Sequence, residues 1–85
     1  MTTESAAPAV TLDPRLDAII LSCATAEWCK VAMLIARATD AARAASLEAP
    51  AQVIAAHIYA LAATDRLDVQ GNVRRWRASE VRSAR

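Results

Sequence analysis

The stretch Leu67 to Arg82, LDVQGNVRRWRASEVR, decides how this chain is read, because it holds the only glycine, one of two tryptophans and a dense run of arginines. From Leu67 the apolar pattern changes from helical to alternating. Leu67 and Val69 fall on one face and Asp68 and Gln70 on the other, as a half-buried strand requires. Gly71-Asn72 follows as a two-residue hairpin turn with glycine at the first central position, where φ is positive. In that register Gln70 opposes Val73, Val69 opposes Arg74, Asp68 opposes Arg75 and Leu67 opposes Trp76. Leu67, Val69 and Trp76 then seal the inner face, while Asp68 and Arg75 form an exposed cross-strand ion pair of modest value.

Upstream of the hairpin the pattern is helical throughout. Asp13-Pro14 starts a first helix, with an N-cap carboxylate and a proline at N1 whose missing donor costs nothing. Leu16, Ile19, Ile20 and Cys23 recur at i, i+3, i+4 and i+7, giving one apolar stripe that ends near Ala24. Thr25 is the N-cap candidate for a second helix, and Glu27 in its first turn complements the helix dipole. Trp28, Val31, Ala32, Ile35 and Ala38 or Thr39 trace its buried face, with Lys30, Arg37 and Asp40 toward solvent. The Ala-rich run from Asp40 to Ser46 has high helix propensity but few large apolar anchors, so it either continues the helix or frays. Glu48-Ala49-Pro50 interrupts the pattern, and Pro50 suits the first turn of a third helix reaching about Thr64. Its stripe is Val53, Ile54, His57, Ile58 and Leu61. Asp65 stands where a left-handed C-cap residue belongs.

Length and composition bound the rest. The 85 residues make one domain, expected over 12–85, preceded by a flexible arm at 1–11 that has neither the basic nor the apolar region of a secretory signal. The longest strongly apolar run, Ala18-Ile19-Ile20-Leu21, is far too short to span a membrane. Cys23 and Cys29 form no CxxC motif, and the lone His57 leaves a zinc cluster short of ligands. The cysteines are expected as buried core thiols in a reducing cytoplasm. Charge is uneven: residues 1–65 carry four bases and seven acids, residues 66–85 six bases and two acids, for a net +1 overall. A basic tail on a mildly acidic body points to an anionic partner or an oriented protein contact.

Three helices followed by a hairpin are the element order of a winged helix-turn-helix domain, a mainly α fold with a small β-hairpin (α+β). Leu16-Asp17-Ala18, Trp28 with Lys30, Gly71, Trp76-Arg77 and Ser79-Glu80-Val81-Arg82 also resemble a bacterial family of unknown function. That family occurs as a C-terminal domain behind another uncharacterised domain in longer proteins. The resemblance spans roughly residues 12 to 82, and its most specific piece is the WRxSEVR run. The chain departs from the pattern at Asn72, where the family would have Asp, and carries no counterpart of the companion domain. The resemblance implies a fold and not an activity.

No cluster of side chains spells out a reaction, so an enzyme, a cofactor and a small-molecule substrate are not expected. His57 lies on the buried stripe of its helix, where a hydrogen-bonded core histidine is expected over a catalytic base. Two classes of partner remain. DNA binding through the Arg-rich hairpin would use Arg74, Arg75, Arg77, Arg82 and Arg85 on phosphates. Against it, helix 3 carries no Lys or Arg, and its solvent side offers Gln52, Ala55, Ala56, Tyr59 and Ala60, of which only Gln52 suits a base edge. Contact with a protein, or with a second copy of the chain, is favoured by the small alanines of that face with Tyr59 as anchor. The candidate contact surface is therefore Gln52, Tyr59, Arg74, Arg75, Arg77 and Arg82. In the SEVR segment, Ser79 is expected to cap a last turn, or Glu80 to pair with Arg77 or Arg82 and tether the chain.

Overall fold

The computed structural model describes residues 12–84, so the arm read at 1–11 and Arg85 lie outside the described residues. Three helices, α1 (Pro14–Cys23), α2 (Val31–Ala44) and α3 (Ala51–Ala63), pack with three short strands, β1 (Cys29–Lys30), β2 (Leu67–Gln70) and β3 (Glu80–Ser83). The strands form one antiparallel sheet in the order β1-β3-β2. The expected class, mainly α with a small β part, is what the chain adopts.

The helix ends follow local chemistry. Asp13 caps α1 by accepting the Arg15 backbone N–H at 2.9 Å, with Pro14 at the first helical position. Both α2 and α3 end in a left-handed residue, Ser46 (φ +60°) and Asp65 (φ +62°). Beyond each, a backbone N–H folds back: Leu47 donates to the Ala42 carbonyl at 2.8 Å and Arg66 to the Leu61 carbonyl at 2.9 Å. These are Schellman closures, and Asp65 sits where its tolerance of that conformation placed it. The Ala-rich run continues α2 to Ala44. Pro50 serves as the N-cap of α3 instead of entering its first turn, its carbonyl accepting the Val53 and Ile54 N–H groups.

The core lies between the helices and one face of the sheet. Ile20, Val31, Leu34, Ile54, Ile58 and Val81 are fully buried, with Leu61 and Leu67 nearly so. Burial of each large aliphatic side chain is worth about 1.5–3 kcal/mol. Cys23 and Cys29 are half-buried free thiols packed at the edge of this core, less enclosed than expected.

Two elements differ from the sequence reading. Helix α2 begins at Val31 instead of Thr25. The Thr25 hydroxyl accepts the Glu27 N–H at 3.2 Å, closing a local turn, and Cys29 and Lys30 run extended against Val81 and Glu80. Trp28 therefore stands ahead of the helix and not on its buried face. The first two donors of α2 are satisfied from the other end of the chain: Val31 N–H by the Ser79 carbonyl at 3.1 Å and Ala32 N–H by the Trp76 carbonyl at 3.0 Å.

The hairpin register also differs. Strand β2 pairs with residues 80–83 and not with 73–76: Leu67 faces Ser83, Asp68 faces Arg82, Val69 faces Val81 and Gln70 faces Glu80. Gly71 has the expected positive φ, +86°, but opens a loop over 71–79 instead of a two-residue turn. Directly opposed residues of an antiparallel pair point to the same face. A two-residue turn would have set Arg74 beside half-buried Val69, on the face that packs on the core, where an apolar side chain fits better than a charge. The observed register puts Val81 there. It also places Asp68 with Arg82, Nε to Oδ2 at 3.1 Å, in place of Arg75.

Two predictions follow from these local features. A Cβ on Gly71 would meet its nearest neighbours at an ordinary 3.5 Å, so Gly71→Ala carries the cost of the left-handed backbone alone. It should lower stability by about 1–2 kcal/mol, read as a reduced urea midpoint at unchanged m value. Asp13 is held below its ordinary pKa, chiefly by side-chain hydrogen bonds from Arg15 and then by the Arg15 backbone N–H. A depressed carboxyl contributes stability above its unfolded pKa of about 4 and loses it as pH falls through the folded value. Asp13→Asn, which keeps a capping oxygen, should flatten that acid limb in denaturation curves recorded across pH.

Candidate functional site

Loop 71–79 is built by its own short-range hydrogen bonds. The Asn72 side chain accepts the Arg74 N–H at 3.0 Å and the Asn72 carbonyl accepts the Arg75 N–H at 2.8 Å. The Arg75 carbonyl in turn accepts the Ser79 hydroxyl at 2.6 Å, and Ser79 is fully buried. Trp76 then fastens the loop to the helices. Its carbonyl holds Ala32, and its indole N–H donates to the Tyr59 hydroxyl at 2.6 Å.

The six candidate residues divide by role. Tyr59 is half-buried, bonded to Trp76, and covered by the Arg74 guanidinium 4.5 Å from its ring centroid. It is a clamp for the loop and not the exposed anchor expected of it. On the same helix Ala55 is buried, and Ala56 and Ala60 are half-buried, so the open alanine face foreseen on α3 is largely covered. Gln52 is exposed in the first turn of α3, and no hydrogen bond joins it to the loop. Arg82 is a strut: it bonds Asp68, and its guanidinium lies 4.5 Å over the ring of Trp28. Arg75 and Arg77 are exposed and have no acidic partner among the described residues.

The SEVR segment tethers the chain, with one partner changed. Ser79 closes a turn as expected, but Glu80 reaches Lys30 of β1 at 3.8 Å and neither Arg77 nor Arg82. Val81 fills the core, and the Ser83 N–H donates to the Thr25 carbonyl at 2.7 Å. Both acids between residues 66 and 84, Asp68 and Glu80, are thus engaged by Arg82 and Lys30. Arg66, Arg74, Arg75 and Arg77 have no carboxylate partner among the described residues.

His57 is the buried, hydrogen-bonded core histidine expected from its stripe. The Asp13 backbone N–H donates to Nε2 at 3.4 Å, and Nδ1 lies 2.7 Å from the Asp17 carboxylate. Nε2 as acceptor puts the ring proton on Nδ1. With both nitrogens committed and no exposed surface, the imidazole joins α1 to α3 and has no free lone pair for a substrate. Burial raises the Cys29 thiol above its ordinary pKa, which keeps it protonated and poorly nucleophilic.

Sequence reasoning named Trp28 and Lys30 without their partners Arg82 and Glu80, and passed over Met33. The first two act through partners some fifty residues away in the chain, and no local pattern announces that. Met33 carried a weak signal, since it falls off the stripe of Val31, Ile35 and Ala38, and it is 49% exposed. Two open clefts lie elsewhere, one lined by Thr39, Arg43, Glu48, Ala49 and Pro50 and one by Leu21, Asp65, Arg66, Ser83 and Ala84. Neither contains a candidate residue. Among the described residues no group of three His, Cys, Asp or Glu is placed to hold a metal, and no helix is long and apolar enough to cross a membrane. Comparison with family models, curated proteins and solved structures found no match.

The Tyr59 clamp makes a specific prediction. Tyr59→Phe removes one hydroxyl and keeps the ring under Arg74, so it should cost about 1 kcal/mol. Amide hydrogen exchange should quicken across 71–79 and at Ala32 while α1 is unaffected.

Proposed function

We propose that this chain is a winged-helix-like module that works by contact with another macromolecule and not by catalysis, and that its partner is a protein. The element order α1, β1, α2, α3, β2, β3, with loop 71–79 as the wing, supports the fold assignment. So does the resemblance carried by Trp76-Arg77 and Ser79 to Arg82, with which we place the chain in the same bacterial family. A cytoplasmic setting suits two free thiols at the core edge.

One observation favours a protein over DNA. Helix α3, the element that would enter a major groove, has no Lys or Arg from Ala51 to Ala63, and its Tyr59 is occupied by Trp76 and Arg74. A reading helix needs side chains for base edges and cations that anchor it to phosphates. Here the arginines without an acidic partner among the described residues, Arg37, Arg66, Arg74, Arg75 and Arg77, all lie off α3. A second copy of the chain belongs to the same class of partner. The wing arginines keep DNA as the competing reading, since they would suit phosphates equally well.

Titration of a short labelled duplex with the full chain at low salt, followed by fluorescence anisotropy, separates the two. Absence of saturable binding is the expected result. Binding that falls steeply with added salt and weakens when Arg75 and Arg77 become Ala would replace the protein reading with the DNA one.

A further inference from the structure

The wing and the helix beneath it indicate the kind of protein partner, an inference that rests on the reading just given. The bond from Ala32 N–H to the Trp76 carbonyl sets the loop against the first turn of α2. Met33 is the next residue along that helix, 49% exposed. Arg37, four residues further and so adjacent on the helix surface, is exposed with no acidic partner among the described residues. Arg75 and Arg77 flank Trp76 in the same exposed and unpaired state. An exposed methionine thus follows the residue bonded to Trp76, with Arg37 one turn further along the helix and Arg75 and Arg77 on either side of Trp76 in the chain.

The surface is also rigid before any partner arrives. Trp76 is held by Tyr59 and Ala32, and Ser79 by Arg75 and Val31, so little loop entropy remains to be lost on binding. Arginine forks match carboxylates in paired hydrogen bonds, and a thioether adapts to varied apolar side chains. A phosphate backbone would satisfy the arginines but leave Met33 uncovered. A second copy is a poor match as well, because among the described residues its unpaired exposed acids Glu27, Glu48 and Asp65 lie in three different connectors and form no run.

We propose that Met33, Arg37, Arg75 and Arg77 form a docking surface for an acidic segment of another protein, one that carries apolar side chains among its carboxylates. The probe is a fluorescein-labelled peptide alternating glutamate and leucine, compared with an all-glutamate peptide and a short duplex, each titrated into the full chain. The Glu-Leu peptide should bind most tightly. The double variant Arg75→Glu/Arg77→Glu should lose at least about tenfold in affinity through like-charge contact, and Met33→Ser should lose several-fold. All three positions are exposed and outside the core, so unchanged circular dichroism will accompany the loss. Equal binding by the charge-reversed variant overturns the proposal, as does failure of both acidic peptides to bind. Equal affinity for the all-glutamate peptide with a silent Met33→Ser also overturns it. These three results leave the protein-contact reading standing, whereas preference for the duplex over both peptides overturns that reading too.

Discussion

Two backbone hydrogen bonds, from Val31 to the Ser79 carbonyl and from Ala32 to the Trp76 carbonyl, tie the first turn of α2 to the far end of the chain. The first N–H groups of any helix lack partners within it, and α2 has no side-chain cap of its own. Much else depends on how that need is met. With loop 71–79 supplying the acceptors, the residues before Val31 are drawn out of the helix and beside β3, where Cys29 and Lys30 pair with Val81 and Glu80. The loop is in turn too occupied by these contacts to be a tight turn. A three-stranded sheet with β3 in the middle is the geometric result.

The arginines of the C-terminal stretch look equivalent in sequence and are not equivalent in space. Arg82 lies over Trp28 and bonds Asp68, and Arg74 lies over Tyr59. A guanidinium against an aromatic face gains about 0.5–1 kcal/mol at an exposed site, and these two also lose reach toward a partner. Arg75 and Arg77 keep theirs. Other side chains serve mostly as structural ties: Trp28 and Asp68 with Arg82, Lys30 with Glu80, Trp76 with Tyr59, Ser79 with Arg75, and Asp17 with His57. Arg77 has no ion pair or ring contact among the described residues, and it belongs to the proposed docking surface.

His57 shows how a polar side chain can occupy the core of so small a domain. An unsatisfied buried polar group would cost about 1–3 kcal/mol, a large share of the margin available to 85 residues. Both ring nitrogens are bonded, one of them by the N–H of Asp13, the residue that caps α1. The same contact that satisfies the histidine fixes where α1 begins relative to α3. Its position on the most regular apolar stripe made the burial legible; that Asp17 and Asp13 would be its partners was not.

The features that the sequence by itself determined depend on neighbours a few residues away. The Asp13-Pro14 start of α1, the left-handed Asp65 and Gly71, the stripes of α1 and α3 and the strand at Leu67 to Gln70 all follow from spacing and backbone chemistry. Tertiary structure decided what depends on distant partners: the strand at Cys29, the pairing of Val69 with Val81, the bonding of Tyr59 to Trp76, and which arginines among the described residues have no acidic partner. An alternating run shows which residues share a face but not which strand will lie opposite, and Val73 to Trp76 competed with Glu80 to Ser83 for that place. In the register adopted the fully buried Val81 lies opposite Val69, and Arg74 is left outside the sheet over the ring of Tyr59.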